Sequence, residues 1–112
     1  MEAERVAGFQ ARLESMLSEL RAAEAGTAAD RDPVVLDQQS VGRLSRMDAL
    51  QMQAMAKAQS RRRAAEGERI RAALARIAAG EFGECLDCGE EIAVKRLELD
   101  PAVALCVTCA AG

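Results

Sequence analysis

Cys85, Cys88, Cys106 and Cys109 are the only cysteines in the chain, and they fall as C-x2-C-x17-C-x2-C. That spacing lies in the range of a four-thiolate zinc site. Each C-x-x-C pair can turn two sulfurs toward one ion, and the intervening residues bring the chain back to complete a tetrahedron. With no histidine anywhere, the shell would be closed by sulfur alone. A closed shell leaves no position for water or substrate, so the ion would be structural. Two disulfides are the main rival. Secreted disulfide scaffolds carry a signal peptide and spread their cysteines along the chain. Here Glu2, Glu4 and Arg5 occupy the start, with no apolar stretch behind them, and all four cysteines sit in the last quarter. A thiol redox switch is the third reading, since zinc thiolates can be oxidised with loss of metal. The spacing favours one structural zinc.

Something must carry that module, and composition limits what it can be. The 112 residues are 50% hydrophobic, but alanine supplies much of that share, and Phe9 and Phe82 are the only aromatics. Such a chain suits long helices with a narrow seam better than a large globular core. A net charge of −3 gives poor support to broad duplex binding, which needs phosphate neutralisation. Two phenylalanines leave little for stacking exposed bases. No run of 18 apolar residues is present, so no membrane span is expected. The expectation is a soluble cytoplasmic monomer. An enzyme is not expected: there is no glycine-rich phosphate loop, no nucleophile–base pair and no open metal site.

Residues 3 to about 28 read as a helix. Val6, Phe9, Leu13, Met16, Leu20 and Ala23 step by 3, 4, 3, 4, 3, which is a heptad seam. Gly26 and Asp30-Arg31-Asp32-Pro33 should end it. A second helix is expected to start after Ser40 or Ser45 and to run to about Ala79, with Gly80 as its stop. Ser45 and Asp48 fit a capping box. Met47, Leu50, Ala54 and Ala58 would form its early seam and Ile70, Leu74 and Ile77 its late one. The stretch Arg61-Arg62-Arg63-Ala64-Ala65-Glu66-Gly67 between them has a weak seam, expected to rely on alanine. Arg61, Arg62 and Arg63 read chiefly as a solvated face, and Met47, Met52 and Met55 as seam and adaptable surface. Two such helices bury their seams most economically as an antiparallel coiled-coil hairpin. The expected fold is therefore mainly α. Residues 1–79 would form a hairpin rod about 40 Å long, with its tip near 30–48, and residues 80–112 a C4-type zinc finger.

The finger region resembles a known family. Gly80-Glu81-Phe82-Gly83-Glu84-Cys85-Leu86-Asp87-Cys88-Gly89 looks like the opening of the DksA/TraR zinc-finger family. Ile92, Arg96-Leu97, Pro101 and Leu105-Cys106-Val107-Thr108-Cys109 continue its pattern in order. The resemblance implies a bacterial transcription regulator that binds RNA polymerase rather than promoter DNA. It would insert the hairpin into the secondary channel and act on initiation through acidic tip residues, often jointly with ppGpp. The founding D-x-x-D-x-A tip string is absent. Alignment back from Cys85 places the tip aspartate nearest Ser45, with Asp48-Ala49 three residues on, and Asp37 (like Asp30 and Asp32) is a further acidic candidate. Two other function classes remain: a zinc-ribbon nucleic-acid binder, and an adaptor whose hairpin pairs with a different protein.

Overall fold

The computed structural model describes residues 1–28 and 43–112. Four helices follow in order: α1 (Ala3–Gly26), α2 (Arg43–Ala79), α3 (Val94–Leu99) and α4 (Val107–Ala111). Among the described residues there is no strand, only an isolated antiparallel bridge between Glu84 and Glu91. Among the described residues no helix is long and apolar enough to cross a membrane. The molecule measures 64 × 30 × 20 Å, and α2, 37 residues long, spans about 56 Å of it.

α1 and α2 pack as a hairpin whose apolar residues gather at one end. Phe9, Leu13 and Leu17 of α1 meet Ile70 and Ala73 of α2, and the same core continues into Phe82, Cys85, Ile92, Leu97 and Ala102. Leu13, Ile70 and Leu97 are fully buried, each contributing about 1.5–3 kcal/mol of transfer free energy. The Phe9 and Phe82 rings sit 5.5 Å apart at a tilt of 47°, a geometry favoured by the ring quadrupoles. The chain's two aromatics thus clasp hairpin to finger.

α1 ends at Gly26. Thr27 caps it, with backbone N–H bonds to the preceding turn and its hydroxyl donating to the Ala23 carbonyl at 3.0 Å. The expected seam also drifts: Ala23 is exposed while Glu24 and Thr27 turn inward. A straight α-helix slips relative to a 3.5-residue repeat by about 20° per heptad, enough over three heptads to bring in the next residue. Glu24 then accepts from Ser60 Oγ and from Arg63 Nε at 2.9 Å, while Arg63 Nη2 donates to Thr27 Oγ1 at 2.8 Å. The middle of the hairpin is held by this polar clasp rather than by alanine, for Ala64 and Ala65 are exposed.

In α2 the register set at the base persists. Counting back from Ile77, a less exposed row runs through Leu74, Ile70, Gly67, Arg63, Ser60, Ala56, Gln53, Ala49 and Arg46, an unbroken alternation of 4 and 3; Ala73 is buried beside it, and Glu66 and Ala58 are half-buried. Met47 and Leu50 are 56% and 48% exposed. The expected early seam lies one residue off, which is 100° around the helix, and a continuous helix cannot make that jump. Ser45 is the third residue of α2, so it is not the N-cap expected of it. Ser40 and the connection after α1 fall outside the described residues.

Gly80 ends α2 as expected. Its φ is +76°, its N–H bonds to Ile77 O at 3.1 Å, and the Glu81 N–H reaches Arg76 O at 2.8 Å. These are the two bonds of a Schellman motif.

One glycine in α2 has no such conformational role. Gly67 is a buried helix-interior residue, yet a Cβ placed there would meet only the guanidinium end of Arg71, at 3.4 Å. An open groove of ≈ 220 Å³ runs past it, lined by Leu17, Leu20, Arg63, Ala64 and Arg71 among others. Gly67→Ala is expected to stabilise the hairpin by about 0.5–1 kcal/mol, because glycine loses more backbone entropy in a helix than alanine. Thermal unfolding followed by circular dichroism should show a rise in Tm of a few degrees, whereas a fall would mean that the helices approach more closely at this point than the groove allows.

Candidate metal centre

The first C-x-x-C lies in a tight turn that the backbone closes on itself. The Cys85 N–H donates to Glu90 O at 2.8 Å, the Gly89 N–H to Cys85 O at 2.9 Å, and the Ile92 N–H to Gly83 O at 2.7 Å. Gly89 has φ +77°, a left-handed conformation that glycine adopts without penalty. A Cβ at Gly89 would meet nothing within 4 Å. The residue is therefore needed for its torsion, rather than for a close approach of backbone to sulfur. The second C-x-x-C opens α4, with Cys106 as N-cap. Its Sγ accepts from the Cys109 N–H at 3.5 Å. A backbone–backbone bond joins the segments of the two turns: the Leu86 N–H donates to Ala104 O at 2.9 Å.

The folding of these turns brings all four sulfurs within 4.8 Å of one another. Cys88 Sγ and Cys106 Sγ are 3.8 Å apart, which is the edge of about 3.8 Å that a regular tetrahedron with 2.3 Å Zn–S bonds requires. The donor set, the spacing and the backbone N–H···S bonds all fit a zinc ion. Among the described residues no other His, Cys, Asp or Glu cluster is placed to hold a metal. Cys85 is buried in the shared core, Cys106 and Cys109 are half-buried, and Cys88 is exposed.

The thiols are set apart electrostatically. Backbone N–H groups of Cys106, then Cys88, point at the Cys85 sulfur and bring its pKa down to about 6. At Cys88 the Glu90 N–H also favours the thiolate, but desolvation and the neighbouring Cys85 sulfur outweigh it and the pKa rises. Cys109 shares its surroundings with the sulfurs of Cys106, Cys85 and Cys88, and its pKa is pushed up strongly. One sulfur is thus ready to bind as thiolate at neutral pH, and at least two give up a proton when the ion arrives.

Fastening the centre to the rod falls to Arg69 and Arg12, which the sequence did not single out. Arg69 Nη2 of α2 donates to Asp100 Oδ2 at 2.6 Å, and its Nη1 to Glu66 Oε2 at 2.6 Å. Asp100 and then Glu66 hold the Arg69 proton more tightly than usual. Arg12 of α1 donates to the Glu98 carbonyl. Arg96 Nε donates to Leu105 O at 3.0 Å, tying α3 to the second cysteine turn. These partners lie 31 and 86 residues apart for Arg69–Asp100 and Arg12–Glu98, so no local pattern could have found them.

Of the tip candidates, Ser45 and Asp48 are exposed and Ala49 half-exposed on the first turns of α2, at the opposite end of the rod from the cysteines. Asp37, with Asp30 and Asp32, lies outside the described residues.

Residues 80–112 match the model of the prokaryotic DksA/TraR C4-type zinc finger. Across 42 residues the chain is 43% identical to the RNA polymerase-binding transcription factor DksA of Haemophilus influenzae; the match covers 38% of this chain and 29% of that protein's length. The fold as a whole is similar to that of transcription factor DksA2 from Pseudomonas aeruginosa. The TM-score is 0.82 over 99% of this chain and 84% of the other, at 24% identity. Residues 80–112 thus carry a DksA/TraR-type zinc finger, and the chain as a whole shares the fold of DksA2. The chain's cofactor is one structural zinc ion, in a centre of four clustered cysteines.

Zinc uptake by the metal-free protein should release protons, those of Cys88 and Cys109 included, so apparent affinity falls as pH falls. Below about 6 the Cys85 thiol is protonated as well, and the pH slope should steepen. Competition against a chromogenic chelator from pH 5 to 8 reads this directly, with elemental analysis expected to give one zinc per chain. Cys88→Ser should lower zinc affinity by an order of magnitude or more and leave most helical ellipticity in place. A slope unchanged across pH 6 would refute the assignment of the low pKa to Cys85.

Proposed function

We propose that this protein is a bacterial transcription regulator that binds RNA polymerase through the secondary channel and modulates initiation from the tip of its hairpin. The observation that carries the reading is the joining of a DksA/TraR-type finger to a rod of which one helix outruns the other. Glu24 near the end of α1 meets Ser60 and Arg63 of α2, and Asp48 lies 12 residues further out along the same helix, about 18 Å at 1.5 Å per residue. A slender projection of that length can reach into a pore that a globular domain could not enter. In this reading residues 1–79 are the probe and residues 80–112 the zinc-bound base, with Cys85, Cys88, Cys106 and Cys109 as the ligands. The reading assigns it no enzymatic activity of its own, and ppGpp is a co-effector of the polymerase complex.

Asp48 is the described tip acid best placed to act. It is exposed, and with Ser45 inside α2 it has lost the capping role that would otherwise account for it. A carboxylate brought near a catalytic centre acts on it by charge. On the outer part of α2, Lys57, Arg61 and Arg62 are exposed; three cations there are too few for tight duplex binding by this stretch without aromatic or base-edge contacts, which favours a protein partner.

Displacement on core RNA polymerase is the test. Titration of this protein should release a labelled Gre-type coiled-coil factor completely at saturation, because two rods cannot occupy one channel. Asp48→Asn should keep that displacement and lose the effect on open-complex lifetime. A ternary complex holding both factors would eliminate the channel model and favour the adaptor reading of the same hairpin.

A further inference from the structure

Gly67 weakens α2 for no reason internal to the hairpin. It lies in the helix interior, where glycine is unfavourable, and α1 does not need its space. The nearest atoms that a Cβ there would meet belong to the Arg71 guanidinium, Nη2 at 3.4 Å and Nη1 at 3.7 Å. The missing side chain leaves instead the floor of the groove of ≈ 220 Å³ between the two helices. Leu17, Leu20 and Arg21 of α1 line one side of it, and Ala64, Gly67 and Arg71 of α2 the other. Each set follows the 3 and 4 spacing of a single helix face, so the groove is a trough running along the rod.

Charge narrows the choice of ligand. Glu24 is the one carboxylate among the described lining residues, and Ser60 and Arg63 already engage it. Arg71 Nη2 donates to Glu68 at 2.7 Å, which leaves its Nη1 on the groove side. Arg21 is exposed and has no ion pair or hydrogen bond among the described residues. Aliphatic walls beside uncommitted guanidinium N–H groups suit an apolar chain with an anionic head, since guanidinium and carboxylate form strong paired hydrogen bonds. A nucleobase has nothing to stack on here, because both phenylalanines are spent in the clasp at the base. We infer that the trough at Gly67 is a binding site for a medium-chain aliphatic carboxylate. Its tail would lie over Gly67 against Leu17, Leu20 and Ala64, and its head would be taken by Arg21 and Arg71. Occupancy would brace α1 against α2 about one turn from the Glu24 clasp. The site does not depend on the polymerase reading.

Decanoate is the probe, titrated below its micellar range into the full-length, zinc-loaded protein and followed by calorimetry and by NMR shifts. One decanoate per chain should bind, with shifts concentrated at Leu17, Leu20 and Gly67. Decyl alcohol, which lacks the charge-assisted bonds, should bind roughly tenfold more weakly. Gly67→Ala should weaken decanoate binding roughly tenfold, the effect of one misplaced methyl in an apolar pocket, while the free variant stays folded and no less stable. Arg21→Gln/Arg71→Gln should remove the preference for acid over alcohol and leave the affinity for the alcohol as it was. A glycine with only a structural role would not produce that split. Equal decanoate affinity in Gly67→Ala and the unaltered protein overturns the inference. So does a response that never saturates, or shifts centred on Met47 and Leu50, which would mark adsorption to exposed apolar surface.

Discussion

The structure depends on one shared core at the base, where Cys85 is packed among side chains from both parts of the chain. Phe9, Leu13 and Ile70 belong to the hairpin, and Phe82, Ile92 and Leu97 to the finger, yet they form a single cluster. Neither part has enough apolar surface to stand as an independent globule. Zinc binding therefore shapes more than its four ligands. By holding Cys85 in place it also holds the floor against which α1 and α2 converge, which makes the metal's binding energy available to hairpin alignment.

Around that core the polar contacts divide the labour. Arg69–Asp100 and Arg12–Glu98 stop the finger from rotating on the rod. The Glu24–Ser60–Arg63–Thr27 clasp stops the helices from sliding past each other. Arg63 and Glu24 are 19% and 35% exposed, so their ion pair is less screened than a surface pair. Its worth lies as much in register as in stability, since it fixes where α1 ends against α2 and so how far α2 projects.

Much of this was legible in the sequence because it is local. The C-x-x-C pairs, Gly80 as the helix stop and the row Phe9–Leu13 express themselves over one or two turns. What failed was an inference across distance. Met47, Leu50, Ala54 and Ala58 have the right chemistry and spacing for a hairpin seam, but the phase of Met47, Leu50 and Ala54 conflicts with Ile70, Leu74 and Ile77, 16 to 30 residues further along the same continuous helix. Packing at the base outweighs local hydrophobicity, and the apolar row is rotated outward. Glu24 did not stand out in the sequence for the opposite reason: nothing within its own helix shows that Arg63 and Ser60 will face it.

The length of α2 makes the molecule a lever. Its purchase at the base, from Ile70 to Ile77, covers about 10 Å, while Asp48 lies about 38 Å from Ala73 along the same axis. Any play at the base is therefore magnified about fourfold at the far end, so that a slip of 1 Å under Phe82 moves the Asp48 carboxylate by roughly the diameter of a water molecule and more. Aim at the tip is thus decided by tolerance at the fulcrum. Substitutions there, far from any reacting group, would act as faults of pointing rather than of chemistry.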